Sequence, residues 1–421
     1  MRTRSTGLTL FASLAIIATA CAGPAATPTA VPSVSAPTDA ASEAPSEAPE
    51  PSDAPSEEPE PSEEPEPSDA PSEDPEPSDE PSVGPGEGLR IGVVTDVGQL
   101  EDRSFNQFSN QGAVDAAEDL GGEHTVIITD EISDYTANIQ TLIDDDYDVI
   151  VTVGFLIGSN TLDAAKANPD IFFLGVDQGI CVDEEGNNDP TFTCAGDAAA
   201  LIPNYQGILF LEAQPGYLAG IIAATLSETG VIGAVGGTNV PAVVAYRDGY
   251  MNGAKSVNPD IEVLYVESST DPAIGFNDPE RGAAIARQMI NISDADVLFQ
   301  IAGGTGVGAL EAACEAGIYG IGVDVDQQQS LLDTTPQAAE CIVTSAEKKL
   351  QQTVASAITS IAEESFSSGG VVYELSSNPP GVGISPFTNF PDLLTDDLQG
   401  LLDAATQGMI DGTIDPAAPA P

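Results

Sequence analysis

The chain has 421 residues with 67 acidic side chains, 11 basic side chains and one histidine, and its formal net charge is −56. Nucleic acid and anionic lipid surfaces are poor partners for so negative a protein, and a single histidine leaves little material for acid–base catalysis. Residues 89–421 alone carry 49 acidic and 9 basic side chains, an imbalance that we attribute to solubility.

The N-terminus has the features of a bacterial export signal. Arg2 and Arg4 precede an apolar run over Leu8–Ala20, which is too short to span a membrane. The run ends in Ala18-Thr19-Ala20-Cys21, which resembles a lipobox even though Ala18 stands where that motif usually has leucine. We expect residues 1–21 to be a lipoprotein signal and Cys21 to carry lipid; the alternative is an ordinary cleaved signal with a chance cysteine.

Residues 22–88 are rich in Pro, Ser, Glu, Asp and Ala, with 18 acidic and no basic side chains. Such a segment has too little apolar surface to offset its ordering entropy, and proline and charge repulsion keep it extended. We predict a disordered tether, and a long stalk suits a protein fixed to a membrane at one end.

From residue 89 onward, short apolar runs alternate with helical patterns, which is typical of βαβ units and parallel sheets. The first series predicts strands and helices in the order Arg90–Val94, Ser104–Leu120, Thr125–Thr129, Asp134–Asp144, Asp148–Val153, Gly158–Ala167 and Ile171–Val176. The second series predicts Ile208–Leu211, Pro215–Leu226, Val231–Val235, Ala242–Val257, Ile261–Val266, Pro279–Ile290, Val297–Ile301, Gly306–Glu315 and Gly320–Val323. Two such series predict two doubly wound α/β lobes.

Four cysteines follow Cys21, and they allow three disulfide pairings in an oxidising compartment. Cys181 and Cys194 bracket a loop rich in Asp, Asn and Gly, so we pair them, which leaves Cys314 with Cys341. A zinc site is the alternative, but the cysteine spacings do not suit it and the single histidine, His124, precedes a strand. We predict no metal site.

A glycine-rich motif raises an enzymatic alternative. Gly304 to Ala309 fits the dinucleotide-binding fingerprint, with Asp324 about 20 residues further on. The motif falls late in the second series, however, and an exported protein meets no nicotinamide pool. No nucleophile-and-base pair is visible either. We therefore predict a protein without a cofactor and without enzymatic activity.

Several motifs resemble one family when they are taken in order. The segment Asp102–Asn106 (DRSFN) is similar to the DKSFN signature of the basic membrane protein family, the purine nucleoside receptors among the ABC-transporter substrate-binding lipoproteins. Arg103 replaces the usual lysine. The resemblance continues to residue 412 through GYLAGIIAATL, VGG with a following proline, NPDIEV, AGGTGVG, GVDVDQ and a Thr-Ser pair followed by Lys348.

This resemblance implies a type I periplasmic binding protein, whose two α/β lobes are crossed several times by the chain and close on a ligand. We place residues 89–207 and 323–370 in the first lobe and residues 208–322 and 371–421 in the second. The implied protein is a monomer, is lipid-anchored outside the bacterial cytoplasm, and delivers a purine nucleoside or related small molecule to ABC permease and ATPase subunits. A receptor for a sensor, or a binder of a sugar or other small polar ligand, remains an alternative.

The candidate ligand-binding residues follow strands or begin helices, where open α/β sheets bind their ligands. By resemblance, Asp96 would contact the base edge, Phe105 would stack on the base, and Asn106 would read the purine edge with its amide. Without the resemblance, Asp96 and Asn106 would be read as capping residues and Phe105 as a core residue. Ser104 is the predicted N-cap of its helix.

The remaining candidates lie further along the chain. Asp177 follows a first-series strand, and Gly304 would allow close backbone approach. Asp324 would accept hydrogen bonds from ribose hydroxyls, with Lys348 beside it as a donor. Tyr246, where the family usually has phenylalanine, would close a sandwich on the base opposite Phe105.

Overall fold

The computed structural model describes residues 88–418, which form two six-stranded sheets flanked by helices. The predicted signal, Cys21 and nearly all of the predicted tether lie outside the described residues, so lipidation remains a prediction. Among the helices of residues 88–418, none combines the length and the apolar character that a membrane span requires.

Nine of the strands match predicted ones. The first sheet receives β1 (Arg90–Val97), β2 (Glu123–Thr129), β3 (Val149–Val153), β4 (Phe172–Val176) and β5 (Tyr205–Phe210). The second receives β6 (Val231–Gly236), β7 (Glu262–Glu267), β8 (Val297–Ile301), β9 (Tyr319–Asp324) and β10 (Ile342–Lys348). The chain then adds β11 (Gly369–Tyr373) to the first sheet and β12 (Val382–Ile384) to the second. β5, which was predicted to open the second series, joins the first sheet, and β10, β11 and β12 were not predicted.

The two sheets have the same topology. Their strand orders are β11-β5-β4-β3-β1-β2 and β12-β10-β9-β8-β6-β7, and the ladders are parallel except for the antiparallel pair of β10 and β12. Helices cover both faces of the sheets, as expected where strands are connected by helical crossovers. The predicted fold class, two doubly wound α/β lobes, is confirmed.

Thirteen α-helices occur within residues 88–418. Those before the midpoint are α1 (Phe105–Leu120), α2 (Tyr135–Asp144), α3 (Gly158–Ala167), α4 (Ala198–Leu201), α5 (Ala213–Leu226), α6 (Pro241–Val257) and α7 (Pro272–Gly275). Those after it are α8 (Pro279–Ser293), α9 (Gly303–Ala316), α10 (Gln327–Ser330), α11 (Pro336–Ala339), α12 (Leu350–Ala362) and α13 (Asp396–Ile410).

The boundaries predicted for the lobes differ from sheet membership at three places. The segment 323–348 was assigned to the first lobe, but β10 pairs with β9 and therefore belongs to the second sheet. β5 lies between β4 and β11 in the first sheet, although its last three residues were assigned to the second lobe. β11 also lies in the first sheet, although residues 371–373 were assigned to the second lobe. Sheet membership thus changes three times along the described chain, after β5, after β10 and after β11.

Each lobe has its own apolar core. In the first lobe, α1 and α12 pack together on one face of the sheet, with Ala113, Val354 and Ile358 buried. In the second, α5 and α6 pack on the sheet beside α13. α12 therefore completes the first lobe, although it follows the second in sequence.

The structure pairs Cys181 with Cys194 and Cys314 with Cys341, the pairing that the sequence analysis favoured. The first disulfide closes the loop between β4 and β5. The second ties α9 to the residue before β10. Each lobe therefore contains one disulfide: the first lies within a single connection between strands, and the second joins a helix before β9 to the connection after β9.

Candidate functional site

A cavity lies between the carboxyl ends of the two sheets, and seven of the eight predicted ligand-binding residues line it: Asp96, Phe105, Asn106, Asp177, Tyr246, Asp324 and Lys348. Gly304 does not line the cavity, whereas its neighbour Gly303 does. Asp96, Phe105, Asn106 and Asp177 come from the first lobe, and the other predicted residues come from the second.

Asp96, the penultimate residue of β1, is partly buried and lines the cavity. Its Oδ1 accepts a hydrogen bond from the Tyr135 hydroxyl and another from the amide of Val97 at 2.7 Å. Burial raises the pKa of the Asp96 carboxyl to about 6, and the hydrogen bond from Tyr135 opposes that shift. A Cβ on Gly154 would stand 2.0 Å from Oδ2 of Asp96, so only glycine fits beside this carboxylate.

Asn106 fixes the shape of this loop. Its Oδ1 accepts from the amide of Asp96 at 3.1 Å, and its Nδ2 donates to the carbonyl of Gln99 at 3.4 Å. Both ends of the amide are therefore engaged with the backbone, so the amide holds the loop that carries Asp96 into the cavity.

The start of α1 is capped differently from the prediction. The side chain of Ser104 makes no capping hydrogen bond. Asp102 accepts instead from the amides of Ser104 at 2.9 Å, Asn106 at 2.8 Å and Gln107 at 3.2 Å. The Ser104 hydroxyl donates across the cleft to Oδ2 of Asp324 at 2.8 Å, which links the two lobes.

Asp177 and Asp324 hold equivalent positions in the two lobes. Each follows a Gly-Val pair at the end of the fourth strand of its series, and each has a left-handed backbone, with φ of 59° and 65°. Such a conformation is unfavourable for a residue with a side chain, and it turns both carboxylates into the cavity. The Oδ1 atom of Asp177 is buried, and no group within residues 88–418 makes a hydrogen bond to it.

Lys348, the last residue of β10, is the cationic centre of the cavity. Its Nζ lies 2.6 Å from Oδ2 of Asp177, 3.6 Å from Oδ1 of Asp324 and 3.7 Å from Oε1 of Glu212. Burial alone would lower the pKa of Lys348, but the three carboxylates outweigh it and raise that pKa above its usual value. Asp324 lies beside Lys348 as predicted, and Asp177 lies closer still to the lysine.

Aromatic rings surround the lysine. Its Nζ lies 4.7 Å from the centre of the Phe105 ring and 5.8 Å from that of Tyr246. The ring of Tyr246 packs edge-on against Phe299, and its hydroxyl donates to the carbonyl of Ala346 at 3.2 Å. The tyrosine hydroxyl thus anchors α6 to β10, while the ring remains part of the cavity wall.

Several wall residues were not predicted. Phe276, from the loop after α7, adds a ring from the second lobe, and the neighbouring Asn277 comes so close to Gly98 of the first lobe that a Cβ there would meet it at 3.1 Å. Glu212, which precedes α5, was not predicted either; it does not line the cavity, but its Oε1 lies 3.7 Å from Nζ of Lys348. An aromatic residue next to a glycine-rich turn was the signal that could have identified Phe276.

The glycine-rich motif that suggested a dinucleotide site has a packing role. α9 begins at Gly303, so Gly306 and Gly308 lie within a helix. A Cβ on Gly306 would stand 1.7 Å from Oε1 of Gln300, and one on Gly308 would stand 1.9 Å from the carbonyl of Pro279. These glycines let α9 approach its neighbours and do not form a phosphate-binding loop.

Comparisons with known proteins agree with this geometry. The family described as ABC transporter substrate-binding protein PnrA-like matches residues 90–410. The ABC transporter nucleoside-binding protein BmpA of Lactococcus lactis subsp. cremoris is 31% identical over 252 residues, and Basic membrane protein B of Borreliella burgdorferi is 32% identical over 245 residues. Each alignment covers 57% of this chain and 65% of the relative, so it spans just under two-thirds of the relative's length.

Solved structures show the same fold. A solute-binding protein of an ABC transporter system from Aeropyrum pernix K1 superposes with a TM-score of 0.64 at 24% identity. The superposition covers 78% of this chain and 92% of that chain. The two-lobed architecture is therefore that of ABC transporter solute-binding proteins.

Proposed function

Because this chain belongs to the family of PnrA-like ABC transporter substrate-binding proteins, we propose that it binds a purine nucleoside between its two lobes. Members of this family bind solutes and are not enzymes. The observation that carries the proposal is the meeting of aromatic rings, carboxylates and one lysine in a single cavity between the lobes.

The base belongs beside the aromatic rings. Phe105 projects from the first lobe and Tyr246 from the second, and both rings lie within 6 Å of Nζ of Lys348. A flat purine held between them would gain stacking from both faces. The carboxylate of Asp96, fixed by Tyr135 and Val97, is then available to a donor on the base edge.

The ribose belongs beside the charged groups. The carboxylate of Asp324 can accept from two sugar hydroxyls, and Oδ1 of Asp177 is a buried acceptor to which no group within residues 88–418 donates. Lys348 supplies a donor to a sugar oxygen. The excess of carboxylates over the one lysine disfavours phosphorylated ligands, because like charges repel strongly where water is excluded.

We further propose that the protein acts outside the cytoplasm, held to the membrane through lipid on Cys21, and delivers its ligand as a monomer to ABC permease and ATPase subunits. Support comes from the export signal and tether that the sequence predicts and from family membership. The name of the Lactococcus relative, a nucleoside-binding protein, supports the ligand class.

Two measurements test the ligand. Mass spectrometry of the supernatant after denaturing the purified full chain should find a co-purified purine nucleoside. Titration calorimetry should give 1:1 binding of adenosine, guanosine or inosine after any bound ligand has been removed. If none of the three binds while a free sugar does, the cavity is a sugar site and the nucleoside proposal is wrong.

A further inference from the structure

Lys348 is surrounded by three carboxyl groups, and one of them, Glu212, is not part of the cavity wall. The side chains of Lys348, Asp177, Glu212 and Asp324 are only 3–10% exposed. A single buried lysine cannot neutralise three carboxylates, so the fully ionised cluster would carry two uncompensated negative charges away from water. Buried charge of that kind is strongly unfavourable, and one carboxyl should hold a proton instead.

The three carboxyl groups differ in what else stabilises their ionised form. Asp177 makes the 2.6 Å ion pair with the lysine, and Asp324 accepts a hydrogen bond from Ser104 at 2.8 Å. Within residues 88–418, the Glu212 side chain receives no hydrogen bond from another side chain, and its ionised form is stabilised by the 3.7 Å contact with the lysine and by its own backbone amide. Glu212 is therefore the carboxyl that gains most from protonation.

We propose that Glu212 is a positioning residue that stays neutral at pH 7 and thereby leaves the charge of Lys348 to the two carboxylates on the cavity wall. The inference rests on the proposed function, in which Lys348, Asp177 and Asp324 contact the ligand. When Glu212 ionises, a third carboxylate competes for Lys348 from behind the wall. The affinity for a ligand that contacts the lysine should then fall.

The groups facing Glu212 come from four elements. They are Lys348 at the end of β10, Asp177 after β4, Asp324 at the end of β9, and Tyr246 on α6. Burial raises the pKa of Glu212 to about 8; Lys348 opposes the shift, and Asp177 adds to it. Burial also raises the pKa of Tyr246 well above its usual value.

Glu212 is thus the group in this cluster that we expect to change charge between pH 7 and pH 9.5. Lys348 keeps its proton in that range because its pKa is raised by the carboxylates around it. Burial raises the pKa of Asp177 above its ordinary value, and Lys348 opposes that shift. The 2.6 Å ion pair with Lys348 favours the ionised form of Asp177 over that of Glu212, whose distance to the lysine is 3.7 Å. The Asp96 and Asp102 carboxyls, whose pKa values are about 6, have also largely ionised by then.

The first measurement follows the proton directly and needs no ligand. The full chain, labelled with ¹³C at its glutamate carboxyl groups, is titrated by NMR beside the E212Q variant. The parent should show one carboxyl resonance titrating near pH 8 that the variant lacks. A resonance assigned to Glu212 that titrates near its ordinary pKa would overturn the proposal.

The second measurement follows affinity by calorimetry between pH 7 and pH 9.5, with adenosine as the probe because it does not ionise in that range. If binding raises the pKa of Glu212 by about one unit, the affinity of the parent falls about tenfold across the range. E212Q should bind with the same affinity at every pH. Parallel pH profiles for parent and E212Q would contradict the role.

Glu347→Gln is the matched control. Glu347 is also a buried glutamate whose pKa is raised by burial, but its partner is Lys349 at 2.6 Å and it does not line the cavity. The affinity of this variant for adenosine should depend on pH as that of the parent does. The pH dependence would then be assigned to Glu212 and not to buried glutamates in general.

The two proposals can fail separately. If adenosine binds at no pH, the nucleoside proposal fails, and the ¹⁵N resonance of Lys348 decides the present one. A shift of that resonance in step with the Glu212 titration near pH 8 supports the positioning role. If the chemical shift of the Lys348 resonance does not change as Glu212 titrates, the positioning role is wrong.

Discussion

At the scale of the residue, two carboxylates of the cavity wall are oriented by an unusual backbone conformation. Asp177 and Asp324 adopt the same left-handed conformation in the two lobes, which costs about 1–3 kcal/mol for a residue other than glycine. Two such costs at equivalent strand ends are sustained because neighbouring hydrogen bonds and ion pairs fix both side chains. In the closed arrangement of the described structure, both carboxylates are therefore held toward the cavity.

The ring and the carboxylate of the site should affect binding differently. Phe105→Ala should weaken a nucleoside and its free base alike, by about 5- to 150-fold, because one stacking contact is worth about 1–3 kcal/mol. Asp324→Ala should weaken the nucleoside selectively, since we propose that its carboxylate contacts the ribose. Calorimetry with adenosine and adenine measures both effects.

Phe192→Ala is the control for the ring substitution. Phe192 is 70% exposed on the disulfide loop and does not line the cavity, so its loss should leave both affinities unchanged. Equal affinities for the parent and Phe105→Ala would contradict the stacking arrangement.

The sequence identified the site residues that end strands, because a buried apolar run followed by aspartate locates the edge of a parallel sheet. It could not identify Glu212, since a glutamate just before a helix is usually a solvent-exposed first-turn residue. Gly304 was predicted to approach the ligand, but its neighbour Gly303 lines the cavity. The start of α9 was predicted three residues too late. The role of Ser104 depends on Asp324, 220 residues away, which no local pattern reveals.

At the scale of the element, α5 and α6 approach each other through glycines. A Cβ on Gly216 would stand 2.5 Å from the carbonyl of Tyr246, and one on Gly253 would stand 1.9 Å from the carbonyl of Tyr217. Glycines of each helix thus face backbone of the other. This close contact fixes α6, which carries Tyr246 into the cavity wall.

Gly253→Ala should therefore destabilise the protein by about 1–3 kcal/mol, because the new methyl group separates two packed helices. Chemical denaturation measures the loss. The control is Gly400→Ala on the exposed surface of α13, where nothing lies within 4 Å of the new Cβ. That variant should gain about 1 kcal/mol from helix propensity, and a loss of similar size in both variants would contradict the packing argument.

The elements from β1 to β4 were predicted well because their apolar patterns are strong and local, whereas α4 was not predicted and β5 was predicted to begin three residues too late. The sheet to which each strand belongs was predicted less well, because strand pairing joins residues that are far apart in sequence. β10 reads equally well as a strand of either sheet, and its pairing with β9 alone assigns it to the second. α12 carries a clear apolar face, but nothing in its own residues shows that this face covers α1.

At the scale of the whole molecule, the described structure has its lobes in contact. Besides the bond from Ser104 to Asp324, the Ser330 hydroxyl donates to the carbonyl of Arg103 at 2.9 Å. We expect the lobes to separate in solution without ligand and to close on it. The radius of gyration from small-angle scattering should fall when adenosine is added to the ligand-free full chain, and an unchanged value at saturation would contradict hinge closure.

The proposed lipid anchor also concerns the whole chain. Cys21→Ser should abolish lipidation, so the variant should leave the detergent phase in a phase-partitioning experiment or accumulate with its signal uncleaved. Cys181→Ser should not alter the partitioning, because its cysteine belongs to the disulfide loop. Unchanged partitioning of Cys21→Ser would show that the protein is not lipid-anchored through this residue.

The return of α12 and β11 to the first lobe has a consequence for biosynthesis. α12 packs so closely on α1 that a Cβ on Gly112 would meet the carbonyl of Gln351 at 2.4 Å. When Phe210 has been synthesised, the helix that covers α1 is still about 140 codons away, or roughly 7–28 s at typical elongation rates. The nascent first lobe therefore exposes an uncovered apolar face throughout that interval, which favours export of the chain before it folds.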